Sequence, residues 1–490
     1  MAVFVTSRVV YYAAGVRFDR SSLNWYFQFA DPRLLRDEPL RTLWWFHGQP
    51  PAFNAYVAAV LQLPQRLWTP AFHGSFLVCG FALMVGIYAL ARELGVTHRP
   101  AFIIAVVISV SPTFVIYENW LFYPVPVATL LVYTFFGLTR YLHHGRPLWG
   151  AVGFGAAALL VLTRATYHVL WIAVLFVVVM MLKPQTRRRT MAVAALPLAL
   201  CLGLYAKNFA LFDSFSSSSW MGMNLAEMIQ LEAPPGELAQ LVASGDLEGP
   251  LDKRAFSSLD VYESRPETTG VAVLDQAVKP SGLPNYNNKA YINISTRYLH
   301  DDLRYIKLRP GTYSRAIGRG FALSAVPATN QWFVQENVAP VKLLDEAFSR
   351  TVLLAPAGHE YPTGIENSLA IPGALNVSWT LVAIYGLVLI GIPVSIRRLR
   401  HAREDLVDNA MVLTAGLTIL GALFLSNALE LAENSRYRAE LDPVAVVVAA
   451  VVLTWWRKAR VQHAEMIGGD PEPSDLPFER SPDSRGIETA

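Results

Sequence analysis

The sequence predicts an all-α polytopic membrane protein with about ten transmembrane helices. Its 490 residues are 53% hydrophobic and only 16% charged, whereas soluble domains usually carry about 25% charged residues. Many separate apolar runs approach the ~20 residues that a helix needs to cross a bilayer. These runs are too uniformly apolar for the alternating pattern of a β-barrel strand. Both cysteines lie inside apolar runs, so no disulfide framework is expected.

The spans are located by apolar length together with the distribution of Lys and Arg. Every second loop is basic, as in residues 183–189 and 397–403, and basic loops stay in the cytoplasm. This bias predicts a multi-pass protein of the inner (plasma) membrane with both termini in the cytoplasm. The ten predicted spans are residues 1–17, 71–91, 100–117, 123–142, 148–164, 168–183, 190–208, 374–396, 409–430 and 443–457. The loops expected outside are residues 17–70, 117–123, 164–168, 209–373 and 431–442.

The spans divide the chain into four parts. In chain order they are an N-terminal transmembrane module (1–208, with the first external loop 17–70), an external domain (209–373), C-terminal transmembrane helices (374–457) and a cytoplasmic tail (458–490). The tail is polar and rich in Pro and Gly from residue 467 onward, a composition typical of disorder.

Short patterns refine the two external parts. Residues 51–64 are apolar but too few to cross a bilayer, so they are expected to form an interfacial helix of the first external loop. In the external domain, residues 225–233 and 294–308 repeat apolar side chains at helical spacing, which predicts a mainly helical fold. Residues 279–293, rich in Pro, Gly and Asn, are expected to form an ordered loop.

The first external loop carries the main candidate for chemistry, Asp19. This carboxylate follows the first span directly, and an acid at the edge of a bilayer is costly unless it is solvated, paired or used. It could serve as a general base toward an acceptor hydroxyl. The alternative is an ion pair with Arg17 or Arg20.

Three further residues of this loop are candidate ligand contacts. Asp31 precedes Pro32, and a helix N-cap explains it better than a ligand contact does. His47 and Gln49 precede the rigid pair Pro50–Pro51 and could turn polar groups toward a substrate. A lone His is more often structural, and no second His stands at metal-ligand spacing, so no metal site is assigned.

The other outer turns supply a second acid and several cations. Glu118 follows the third span and is the second candidate acid. Four cations could hold a phosphate, since guanidinium groups match phosphate oxygens: Arg164, Lys207, Arg436 and Arg438. The alternative is contact with lipid headgroups or pairing with Glu433 and Glu440.

These motifs together resemble the GT-C superfamily of integral-membrane glycosyltransferases, particularly bacterial relatives of protein O-mannosyltransferases and of the lipid A aminoarabinose transferase. The resemblance covers residues 1–208 and 374–457. It is carried by Asp19 after the first span, by HGQPPAFN where relatives have a Lys-Pro-Pro version, by YALARELGVTHRPAF, and by ENSRYRAELDP near the last spans.

The resemblance implies specific roles for several residues. In the family the donor is a polyprenyl-phosphate-linked sugar, transfer takes place on the outer face, the first-loop acid is the base and arginines bind the lipid phosphate. These roles correspond here to Asp19 and to Arg436 and Arg438. Relatives have Leu-Leu-Asp-x-Pro in the loop after the third span, whereas this chain has Leu-Phe-Tyr-Pro-Val-Pro at residues 121–126. Glu118 could take that acidic position; a divalent metal is left open and no other cofactor is predicted.

The sequence therefore predicts an inverting glycosyltransferase that moves a sugar from a polyprenyl-phosphate donor to a glycan, lipid or protein acceptor on the outer face of the membrane. No nucleic-acid partner is expected. One alternative is an enzyme similar to O-antigen ligases or polymerases, which use a large late external loop. The other is a flippase or transporter of lipid-linked glycans, for which polar residues in mid-span and repeated halves would be expected.

Overall fold

The chain is helical throughout the part described by this computed structural model, which comprises residues 1–264, 268–356, 376–401 and 405–467. Extended pairing in this part is limited to two isolated bridges. The α-helices are α1 Ala2–Ala14, α2 Ser22–Trp25, α3 Pro32–Asp37, α4 Pro39–Trp45, α5 Ala52–Leu61, α6 Trp68–Glu93, α7 His98–Val110, α8 Pro112–Glu118, α9 Pro124–His144, α10 Pro147–Thr163, α11 Val169–Leu182, α12 Arg187–Phe212, α13 Met221–Glu232, α14 Glu237–Ala243, α15 Ala272–Asp275, α16 Ala290–Leu308, α17 Pro310–Ser324, α18 Gln335–Val338, α19 Lys342–Thr351, α20 Trp379–His401, α21 Leu406–Leu429 and α22 Asn434–Ile467.

The helical membrane class is confirmed, but ten spans are not. Six helices are long and apolar enough to cross a bilayer, and the bent pair α7–α8 would make a seventh. The remaining predicted spans correspond to α1, α10 and α11, which have 13, 17 and 14 residues and are shorter than the ~20 residues required. The last helix continues to Ile467, past the predicted end of the tenth span. The tail beyond Ile467 and the predicted start of the eighth span at residue 374 lie outside the described residues.

Several helix ends that carry basic residues meet at one end of the helix bundle. The Glu93 carboxylate accepts a hydrogen bond from Arg140 at 2.8 Å and lies 2.9 Å from His143 Nδ1. The other ring nitrogen of His143 lies 2.9 Å from Asp408, and Lys183 donates to a carbonyl near the end of α9. The ends of α6, α9 and α11 and the start of α21 are therefore together. Which end faces the cytoplasm stays a prediction.

A bend of 54° separates α7 from α8. Pro112 keeps Ser111 extended, with φ −61° and ψ 143°, because a residue before proline avoids the helical region. The Ser111 hydroxyl then caps α8 by accepting from the backbone N–H of Phe114. The predicted third span is thus a broken helix whose second half ends at Glu118.

The segment predicted to be external, here called the external segment (residues 209–264 and 268–356), is mainly helical, and its apolar core continues into the helix bundle. The predicted helices at 225–233 and 294–308 are confirmed as α13 and α16, which pack directly together. Their approach requires Gly222, since a Cβ there would lie 1.9 Å from the Ser295 carbonyl oxygen. Leu431 and Ala432, between α21 and α22, belong to the same apolar core. Contacts divide the chain into a compact unit Met1–Val452 and a second unit, Leu453–Ala490.

Candidate functional site

A cavity of about 390 Å³, here called the central cavity, lies at the end of the bundle that carries the external segment. Five separated parts of the chain line it: the first loop through Gln28 and Gln49, the start of α9 through Tyr123, the turn after α10 through Arg164, the segment around serines 216–218, and the α21–α22 junction through Glu430 and Tyr437. The cavity therefore brings together three of the regions that the sequence singled out.

A buried ion-pair network adjoins the central cavity through Arg164. Arg436 is fully buried and donates from Nε to Glu433 at 2.7 Å. Its Nη1 and the Nη1 of Arg164 both donate to one oxygen of Glu440, at 3.3 and 2.8 Å. Buried charges are tolerated when they are paired in this way. For Arg436 the structure shows the predicted alternative, pairing with Glu433 and Glu440; of the predicted cations, Arg164 lines the central cavity itself.

Tyr437 connects the network to the cavity. The guanidinium carbons of Arg164 and Arg436 lie 4.2 and 4.3 Å from the centroid of its ring, within the range of a favourable cation–π contact. Its hydroxyl donates to Glu430 at 2.9 Å. The cations are thereby held in fixed positions before any ligand arrives.

Glu430 is the carboxyl group that faces the central cavity. Burial, together with the charges of Glu433 and Glu227, raises the pKa of Glu430 to about 8. Burial and Glu433 likewise raise the pKa of Glu227 to about 7. At neutral pH Glu430 therefore carries a proton and can donate a hydrogen bond to a ligand oxygen, as a neutral carboxylic acid does in an apolar site.

Asp19 lies beside the turn after α8 and is not a lining residue of the central cavity. Its backbone pairs with Trp120 in an isolated parallel bridge. Its carboxylate is partly exposed and accepts from the Ser21 N–H at 2.7 Å and from the Ser21 hydroxyl at 3.0 Å. The guanidinium of Arg17 bonds to backbone carbonyls instead, so the structure shows Asp19 bonded to Ser21 rather than ion-paired with Arg17. The first loop and the turn after α8 thus meet at this bridge.

Glu118 is paired with the first helix. It is fully buried and forms a two-point ion pair with Arg8, at 2.9 Å to Nε and 2.6 Å to Nη2. The Glu118 carboxylate also packs directly against Gly80, where a Cβ would overlap it. The geometry gives Glu118 the role of partner to a cation in the first helix.

Asp31 is a helix cap, the interpretation that the sequence favoured. It is buried, and its side chain accepts from the Arg33 N–H at 2.8 Å with Pro32 at the first position of α3. Lys279 is buried nearby and donates to the carbonyl of Phe29. The carboxylate therefore fixes the entry into α3.

His47 attaches the first loop to the external segment. It is 1% exposed, with Nδ1 2.7 Å from the Ser219 hydroxyl and Nε2 2.9 Å from the Asn287 carbonyl oxygen. Both ring nitrogens are thus occupied by the protein, as in a structural histidine. Lys207 likewise has a structural role, because its ammonium donates to the carbonyls of Trp44 and Phe46 at the end of α4.

His47 should make the stability of the fold depend on pH. Burial lowers its pKa to about 4, whereas the unfolded chain binds that proton near pH 6.5. The stabilising contribution of the neutral ring is therefore complete above pH 6.5 and is lost as the pH falls toward 4, by up to about 3 kcal/mol. We expect Tm to fall over this interval, and less steeply in His47→Gln. The exposed His401→Gln should keep the wild-type slope; equal slopes in all three proteins would contradict this role.

Several residues of the site lacked a usable signal in the sequence. Arg8 lies inside an apolar run, and its partner is 110 residues away. Glu430 and Glu440 flank the ENSRYR motif, but only folding shows that one faces the cavity and the other joins two arginines. Arg438 lines a separate, mainly apolar cavity.

Among the described residues, no group of three or more His, Cys, Asp or Glu side chains could hold a metal ion. The sequence matches no protein-family model. It also matches no curated protein.

Proposed function

We propose that this chain is an inverting membrane glycosyltransferase that moves a sugar from a polyprenyl-phosphate donor to an acceptor hydroxyl on the outer face of the membrane. The observation that carries the proposal is the central cavity, in which a first-loop amide, a paired arginine and the Glu430 carboxyl converge at one end of an apolar helix bundle. The motif resemblance to GT-C enzymes agrees with it.

The donor would bind with its sugar and phosphate in the central cavity. Arg164 is the proposed phosphate contact, because it lines the cavity and Glu440 neutralises only part of its donor capacity. Arg436 would act as a positioning residue through the shared Glu440. Gln49 and the serines 216–218 offer neutral hydrogen-bonding groups for sugar hydroxyls.

The proposed reaction is a single displacement. The acceptor oxygen attacks the anomeric carbon, the bond between that carbon and the phosphate oxygen breaks, and polyprenyl phosphate leaves with the electron pair. Asp19 takes the proton of the acceptor hydroxyl. Since a lipid phosphate is already a good leaving group, the enzyme must mainly position the reactants and stabilise charge.

The proposal is tested with the full chain in lipid nanodiscs and polyprenyl-phosphate donors carrying radiolabelled sugars. We expect transfer of label into an added membrane extract and release of polyprenyl phosphate. Arg164→Gln should weaken donor binding roughly 10- to 100-fold, as expected for loss of a charge-assisted hydrogen bond. Arg36→Gln, which removes an exposed cation of the first loop, should leave it unchanged. In sealed proteoliposomes, movement of intact donor across the bilayer without sugar release would support a flippase instead.

Because of Glu430, donor affinity should fall as the pH rises above neutral. Below about pH 8 the neutral carboxyl can donate to the phosphate, whereas above it the carboxylate repels that group. We expect donor affinity to fall about tenfold between pH 7 and pH 9, the equivalent of ~1.4 kcal/mol. Glu430→Gln should remove this fall. A wild-type affinity that is constant over the interval would contradict the role.

A further inference from the structure

A second cavity, of about 250 Å³, is here called the lateral cavity. Its walls are mainly Ile, Val, Leu and Phe side chains from α7, α8, α19, α20 and α22. It differs from the central cavity in being almost entirely apolar, so its natural occupant is a hydrocarbon chain.

The lateral cavity opens to the side of the bundle. Ile103 lines it and is itself 58% exposed, and the neighbouring Phe102 and Val382 are also exposed. The helices α20 and α22 are candidate spans, and α7 belongs to the bent pair that could form another. In a bilayer this opening would face the acyl chains of membrane lipids.

The polar end of the lateral cavity is formed by Arg438 and Asp442. Arg438 is 3% exposed; it donates to Asp442 at 2.9 Å and to the Val326 carbonyl at 3.2 Å. Its Nε–H is buried and finds no acceptor among the described residues. A buried donor without a partner is costly, so an oxygen on a ligand that enters the cavity would supply the missing bond.

The two cavities are adjacent along the same chain segments. Tyr437 lines the central cavity and Arg438, the next residue, lines the lateral one. Nine residues apart in the chain, Phe114 of α8 lines the lateral cavity and Tyr123, just before α9, lines the central one. Asp19 pairs with Trp120, between those two residues in the chain.

We propose that the lateral cavity binds the acceptor, and that the acceptor is a membrane lipid with a free hydroxyl in its headgroup. The hydrocarbon chain lies in the lateral cavity, and a headgroup oxygen accepts from Arg438 Nε. This inference rests on the proposed function and names its second substrate. In the transfer step the lipid hydroxyl forms the bond to the anomeric carbon, its proton goes to Asp19, and the products are a glycolipid and polyprenyl phosphate.

Binding is tested by photolabelling of the full chain in nanodiscs that contain phosphatidylglycerol with a diazirine in one acyl chain. Labelled residues are mapped by mass spectrometry. We expect labels to concentrate on the lateral-cavity side of α7 and α20, and phosphatidylcholine with the same diazirine, which has no free hydroxyl, to label these positions less. Val107→Trp and Ile384→Trp fill the cavity from partly buried positions and should each lower this labelling at least fivefold. Leu417→Trp, on an exposed face of α21, is the matched control.

Transfer is then measured with the same variants. We expect Val107→Trp to lower glycolipid formation at least tenfold while donor affinity stays at the wild-type value. Uniform labelling around the bundle, undiminished transfer in both filled variants, or preferential labelling of the cavity by a photoreactive polyprenyl phosphate would each overturn the inference. Absence of donor binding in the wild type would contradict the proposed function instead, so the two failures are distinguishable.

Discussion

Replacing Asp19 by Asn is expected to reduce sugar transfer by about 10²- to 10⁴-fold, the usual contribution of a positioned general base. The amide has the shape of the carboxylate and can still accept from the Ser21 N–H, but it cannot take up a proton. Donor affinity and Tm should therefore stay close to the wild-type values. Initial rates of glycoside formation and equilibrium donor binding, measured on the same preparation, give the comparison.

Asp37→Asn is the matched control for this change. Asp37 is an acid of the same loop, exposed and paired with Arg36, and its loss should leave the rate unchanged. Full activity in Asp19→Asn would assign the proton transfer to another group. The structure makes Glu118 and Asp31 poor substitutes, because one is bound to Arg8 and the other caps α3; Glu430 would then be examined next.

Replacing Arg436 by Met is expected to cause the largest loss of stability. The change leaves Glu433 and Glu440 without their shared cation, and breaking a buried ion pair costs about 3–5 kcal/mol. It also removes one of the two guanidinium groups that hold Tyr437. Thermal unfolding of the purified protein should show a strongly lowered Tm, together with weaker donor binding through Arg164.

A second substitution separates the charge effect from lost packing. Glu433 contacts Arg436 and the hydroxyl of Tyr26, so Arg436→Met combined with Glu433→Gln removes one uncompensated charge and should recover part of the stability. Coupling energies between contacting residues are typically 0.5–3 kcal/mol. Arg36→Gln, at an exposed pair, should change stability by less than about 1 kcal/mol. A double variant as unstable as Arg436→Met alone would mean that packing dominates.

The helical class and many element positions could be predicted because they depend on local pattern. Apolar runs gave the long helices α6, α9, α12, α20, α21 and α22, and apolar spacing gave α13 and α16. The predicted number of ten spans was not confirmed, since α10 and α11 are apolar but short, and Pro112 breaks the third span in two. A hydropathy pattern gives the length of an apolar run but does not detect a bend within it.

The candidate site was only partly predictable, because its geometry depends on long-range pairing. The polar residues near the helix ends were recognised, yet their orientations were not. The same motif directs Arg436 into an ion-pair network and Arg438 toward a different cavity. Asp31 followed from its neighbour Pro32 alone, whereas Arg8 could not be paired with Glu118 without the fold.

The Arg8–Glu118 pair has a consequence for the synthesis of the protein. Arg8 lies in the middle of α1. Translocon-mediated insertion of a helix with an unpaired Arg at its centre costs about 2.5–3.5 kcal/mol of free energy. Its partner is added only 110 residues later. If the predicted first span forms around α1, the nascent helix should therefore enter the lipid late, together with the segment that ends at Glu118. A ribosome arrest-peptide assay on growing chains would then record a pulling force at that length, and the force would move to an earlier length in Arg8→Leu.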